Sequence, residues 1–133
     1  MAAVAKSGTP SVCSLTPGRE HQVPGLVAGE AIAAGDACYI KAADGFVWLS
    51  NGTAVNAAAK VRGYAAAAAA VGEAVSIYHG VNWYYGAALS PGADLFLSSA
   101  TSGALSDVAT IGGTAPIGFV IDATRVFLKQ SGY

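Results

Sequence analysis

The chain has 133 residues, enough for one domain and too few for two ordinary ones, with a formal net charge of -1. Only 11% of the residues are charged, and the seven cationic ones (Lys6, Arg19, Lys41, Lys60, Arg62, Arg125 and Lys129) stand singly, so no basic stripe exists to neutralise phosphates and nucleic acid is not an expected partner. No apolar run approaches the roughly 18 residues of a membrane span, and no charged n-region followed by an apolar h-region opens the chain.

The apolar content is 53%, yet 29 of these residues are Ala, and only 42 larger apolar side chains remain. Ala buries little area, so such a core is thin and its hydrophobic driving force modest. Self-association or docking is expected to make up the deficit, and a surface so poor in charge favours packing against protein.

Residues 1–24 show neither strand nor helix periodicity and carry Pro10, Pro17 and Pro24. They read as an extended N-terminal arm with apolar points at Val4, Val12, Leu15 and Val23, leaving 25–133 as the folded domain. From Leu26 onward, short apolar alternations are separated by Gly, Asp-Gly, Asn-Gly, Pro-Gly and Ser-Gly, the punctuation of hairpins. The fold class expected is all-β.

The chain also echoes itself. Gly29-Glu30-Ala31-Ile32-Ala33-Ala34-Gly35-Asp36-Ala37-Cys38-Tyr39-Ile40 aligns with the stretch from Gly86 to Leu97 at a constant offset of 57 residues. Each copy runs from a turn with two glycines into a strand, then a hairpin signal (Asp44-Gly45, Ser102-Gly103), then a glycine-aromatic pair (Gly63-Tyr64, Gly118-Phe119). Two pseudo-repeated halves are expected.

The echo bears on the six alanines Ala65–Ala70, flanked by Gly63 and Gly72. They make fewer than two helical turns, too short for a helix stable alone in water. Their counterpart after Gly118 is β-branched and aromatic, so the expected pattern is strand over Val61 to Ala67, turn over Ala68 to Glu73, and strand over Ala74 to Tyr78. A single helical turn within the alanines is the alternative. In the strand reading Ala65 and Ala66 are close-packed, their methyl groups letting a neighbour approach.

For chemistry, no Gly-x-Ser-x-Gly elbow, phosphate-cradling loop or His-Glu-x-x-His motif is found, and Gly112, Gly113 and Gly118 do not fit a dinucleotide fingerprint. No catalytic residue, metal ligand set or cofactor is assigned. His21 and His79 read as surface or turn residues, and Cys13 and Cys38 as free thiols of a reducing cytoplasm. Asp36, Asp44, Asp94, Asp107 and Asp122 sit at turn positions, where their side chains hydrogen-bond local backbone, and Asn51-Gly52-Thr53 reads as a turn rather than a glycosylation site. The one dense aromatic cluster, Val81-Asn82-Trp83-Tyr84-Tyr85-Gly86, admits core packing, a subunit interface through Trp83, Tyr84 and Tyr85, or a stacked sugar.

The pattern Gly29, Ala31, Ile32, Gly35, Asp36, then Asp44-Gly45, then Gly63-Tyr64-Ala65, then Gly72-Glu73, Val75 and Ile77 resembles the small Ala- and Gly-rich capsid decoration (cement) proteins of tailed bacteriophages. Gly86, Ala88, Leu89, Gly92, Gly103, Gly118 and Phe119 carry the likeness into the second half. The uninterrupted polyalanine and the Val81 to Tyr85 insert depart from it. The resemblance implies a small β-barrel or β-tulip that forms homotrimers on the outer surface of the capsid, is made in the host cytoplasm, binds the major capsid protein, and cements its subunits against DNA pressure. The arm would lie on the shell or reach a neighbouring trimer. A head-fibre or receptor-binding module using the aromatic cluster on host-surface carbohydrate is the alternative.

Overall fold

The computed structural model describes residues 3–13 and 19–131, and what it describes is all β. The strands are β1 (Ala3–Val4), β2 (Ser11–Val12), β3 (Gln22–Val27), β4 (Ala37–Ile40), β5 (Val47–Leu49), β6 (Gly63–Ala65), β7 (Ala74–Tyr78), β8 (Val81–Tyr84), β9 (Asp94–Leu97), β10 (Leu105–Ser106), β11 (Gly118–Val120) and β12 (Arg125–Leu128). Helical structure is confined, among the described residues, to the 3-10 turns Arg19–His21 and Ala57–Ala59.

Two antiparallel sheets result, and they are one pattern used twice. The first has the order β3-β7-β6-β4-β5; the second has β8-β12-β11-β9-β10, with β2 added beside β8 and β1 beside β10. Every strand of the first sheet has its counterpart at the same place in the second. Register agrees as well as order. Ala37 pairs Tyr64 and Cys38 pairs Gly63, just as Asp94 pairs Phe119 and Leu95 pairs Gly118. Tyr64 pairs Tyr78 and Ala65 pairs Ile77, as Phe119 pairs Phe127 and Val120 pairs Val126. The glycine of each glycine-aromatic pair is a packing requirement: a Cβ at Gly63 would press on the Ile77 side chain, and one at Gly118 would run into the Phe127 carbonyl oxygen.

The sheets curl without closing, an open form of the small barrel or tulip type. In the first, one isolated parallel bridge sets Ala28, just past β3, beside Val47 on β5, without a continuous ladder between these edge strands. In the second, the N-terminal residues occupy both edges. Val4 pairs Leu105 on β10, Val12 pairs Trp83 on β8, and between them the Ser7 N–H donates to the Tyr85 carbonyl at 2.9 Å.

That placement bears on residues 1–24, expected as an extended arm reaching away from a domain over 25–133. The described part is extended, but it is pinned to its own chain, and the boundary after residue 24 falls inside β3. Pro24 is accommodated because the β3–β7 register shifts between Val23 and Leu26, so the missing N–H interrupts no regular ladder.

The polyalanine forms no helix. β6 ends at Ala65, Ala66 begins the bend, and Ala69 makes an isolated bridge with Ile32, their backbones exchanging two hydrogen bonds of 2.9 Å. The strand is thus shorter than the expected span from Val61 to Ala67; Val61 instead bridges Ser131. β7 coincides with the expected Ala74 to Tyr78. Gly72, at φ 85°, and the Glu73 carboxylate, which accepts from the Ala70 N–H at 2.6 Å, close the turn.

Among the described residues there are two apolar clusters. One lies inside the first half, where Cys38, Ala65, Val75 and Ile77 of the sheet are covered by Ile32 and Ala69. Burial first, then the nearby carboxylates Asp36 and Glu30, push the Cys38 thiol far above its ordinary range and keep it inert. The second cluster combines the inner face of the second sheet (Trp83, Leu95, Leu97, Val120, Val126, Leu128) with Ala37 and Tyr64 from the opposite face of the first sheet. The Tyr64 ring meets Trp83 edge to face at 6.4 Å, and its hydroxyl donates to the Lys129 carbonyl at 2.9 Å. The two halves are therefore joined head to tail: the back of the first sheet fills the front of the second.

Candidate interaction surfaces

Side chains alternate across a strand, so the registers above fix what the back of the second sheet presents. One row runs straight across four strands: Asp94 on β9, Phe119 on β11, Phe127 on β12 and Asn82 on β8. Phe119 and Phe127 stack with centroids 5.4 Å apart. Next to the row Tyr84 pairs Arg125, which is held by Asp122 through an Nε–Oδ2 bond of 2.8 Å. Phe119 is 46% exposed and Tyr84 51%.

The same positions on the first sheet are Ala37, Tyr64, Tyr78 and Gln22. There Tyr64 is fully buried, its phenol pushed well above its usual range chiefly by that burial. An aromatic at the matching β6 and β11 positions is thus a buried joint in one half and open surface in the other.

A second surface lies where two loops meet. The Gly112 N–H donates to the Gly52 carbonyl at 2.8 Å, bringing the loop after β5 against the loop after β10. Val55, Val108 and Ile111 project there, exposed at 59%, 44% and 68%. Beside them a groove of about 490 Å³ is lined by Ser98, Ser99, Ala100, Ser106, Val108, Ala109, Thr110 and Ile111, none of them charged. Of the first surface, only Tyr84 is expected from the sequence as an interface residue, and the second is not expected at all, because isolated apolar residues in loops show no period.

The residues singled out earlier fall differently. Trp83 and Tyr85 are 0% and 1% exposed, buried within the chain itself, so they form neither a subunit interface nor a sugar platform; of the three, Tyr84 alone faces outward. The Val81 to Tyr84 strand alternates inward and outward, and that period of two was the signal available. Val4 and Val12 pack on the second cluster and Val23 on the first, which removes them as shell-facing points of an arm. Leu15 lies outside the described residues. Ala65 is fully buried as a close-packed strand residue, whereas Ala66 is half-buried in the bend.

Further contacts lock the assembly. The Lys6 ammonium donates to the Ala34 carbonyl at 3.0 Å and pairs with Asp36, tying the N-terminal residues to the first half. His21 and His79 meet edge to face at 6.2 Å beside the Gly80 link between halves. Among the described residues no three His, Cys, Asp or Glu side chains group as metal ligands, and no helix is long and apolar enough to cross a membrane.

No family model matches the chain, and neither does any curated protein or solved structure.

Proposed function

We infer that the chain is a structural capsid subunit that binds the outer surface of a phage shell as a homotrimer and cements the major capsid protein against internal pressure, with no catalytic role. The observation that carries this reading is the cluster of exposed apolar loop residues Val55, Val108 and Ile111 beside a groove whose lining carries no charge. Exposed apolar side chains gain from contact with protein and little from solvent, and a groove lined without charge suits protein docking better than capture of a small ionic ligand. The likeness of the turn pattern to decoration proteins and the scattered cations point the same way.

Co-sedimentation with assembled heads of the phage that encodes the chain tests it. The parent protein is expected to pellet with the heads, and Ile111→Asp combined with Val108→Asp to stay in the supernatant while keeping its fold. A parent that never pellets, or a double variant that pellets equally well, removes the reading.

A further inference from the structure

The back of the second sheet is self-complementary, and we propose that it binds the same face of a second copy of this chain about a two-fold axis. The row Asp94, Phe119, Phe127, Asn82 reads polar, aromatic, aromatic, polar across β9, β11, β12 and β8. Place a two-fold axis in the plane of the contact, parallel to the strands and between β11 and β12. It sets β9 over the partner's β8 and β11 over the partner's β12. The Asp94 carboxylate then faces an Asn82 amide, an acceptor over a donor, on both sides of the axis. Phe119 and Phe127 stack over each other in the middle, where water is excluded.

Two further observations fix the occupant. First, the matching face of the first sheet is already an interface: Tyr64 and Ala37 are fully buried against another sheet of this same chain. The aromatic class is retained at the partner positions, Tyr64 and Tyr78 against Phe119 and Phe127, although only the first pair is covered internally. Second, the inner faces of both sheets are filled, one by Ile32 and Ala69 and the other by Tyr64, so a second copy cannot receive Phe119 head to tail as the first half is received. The remaining face of a second copy that matches it is the face itself. Sheets stacked this way align to within about 30°, which keeps the row in register over its two central strands.

An isologous contact closes on two copies. It therefore joins trimers to one another rather than building one, and it is independent of shell binding because it is measured on the purified protein alone.

The test is native mass measurement and sedimentation over a concentration series for the parent, Phe119→Asp, Asn82→Asp, and Asn82→Asp combined with Asp94→Asn. The parent is expected in assemblies whose mass halves in Phe119→Asp. Asn82→Asp sets carboxylate against carboxylate twice per contact and is expected to weaken association at least about tenfold. The double variant exchanges donor and acceptor across the axis and restores it to near the parent value, a rescue that a damaged fold would not give. A parent with no such association overturns the proposal. So does an assembly mass that Phe119→Asp leaves unchanged, or a double variant as weak as Asn82→Asp alone.

Discussion

The two halves of this chain share strand order and register, and differ in what covers each face. The inner face of the first sheet is closed by its own long hairpin, whereas the inner face of the second is closed by the first sheet. Eleven residues separate the paired Ala65 and Ile77; five separate the paired Val120 and Val126. The six additional residues coincide with the polyalanine segment, which brings Ala69 to Ile32 as a lid. The second half, lacking such a lid, receives Tyr64 instead. A duplicated unit thus becomes one domain by giving one copy a cap of its own and leaving the other to be filled by its neighbour. The leftover is a single aromatic sheet face at the end of the stack.

The sharpest way to break this comparison is at the receiving end. Trp83→Ala empties a fully buried site against Tyr64 and is expected to cost about 3–5 kcal/mol by chemical denaturation. Its counterpart Val23, half-buried against the first cluster, is expected to lose about 1 kcal/mol on truncation to Ala. Comparable losses at the two sites would mean that the halves do not depend on each other as described.

Removing residues 66–71 gives the first hairpin the length of the second. It deletes Ala69 and with it the two backbone bonds to Ile32, a loss of at least about 2 kcal/mol at the usual net value, with more from the uncovered cluster. A shortened protein melting at the parent temperature would show that the alanines are not a lid.

Ala65→Leu should cost about 1–3 kcal/mol in thermal unfolding, because the methyl group lies fully buried in β6 between β4 and β7. Ala66→Leu, in the half-buried bend, should cost less. If neither substitution lowers stability, the packing assigned to this strand is wrong.

The smallest effect concerns the rim of the open face. Asp122 is held down to about pKa 2, first by the Thr124 N–H and next by the Arg125 side chain, with the Arg125 N–H also donating. Its folded value lies below its unfolded one, so the stability it contributes is complete above about pH 4 and is lost as pH falls towards 2. Asp122→Asn should flatten the acid limb of a stability-against-pH curve slightly, as an exposed pair does. An unchanged acid limb would remove Asp122 from that account.

Much of the architecture was legible because it was written twice. The offset of 57 residues maps β4 onto β9 residue for residue, and the glycine-aromatic pairs mark β6 and β11. The hairpin reading of the alanines followed from that echo, since their own helix propensity points the other way. What the sequence could not display was tertiary. β1 and β2 are two residues each and exist because β10 and β8 leave edges to pair, which no local pattern announces. The prolines then made those residues look free. The interaction surfaces were missed for the opposite reason. The dense Trp83-Tyr84-Tyr85 run buries two of its three rings by alternation, while the exposed face is assembled from single aromatics 34 residues and more away in sequence, Phe119 and Phe127.

The central claim, that one face serves as an internal joint in the first half and as free surface in the second, is tested by a matched pair. Tyr64→Ala and Phe119→Ala remove aromatics from the same register position of the two sheets, and their unfolding free energies are compared at concentrations low enough to keep self-association out. The account predicts a loss of about 3–5 kcal/mol for Tyr64→Ala and under about 1 kcal/mol for the half-exposed Phe119→Ala. Equal losses, or a greater loss at Phe119, would contradict it.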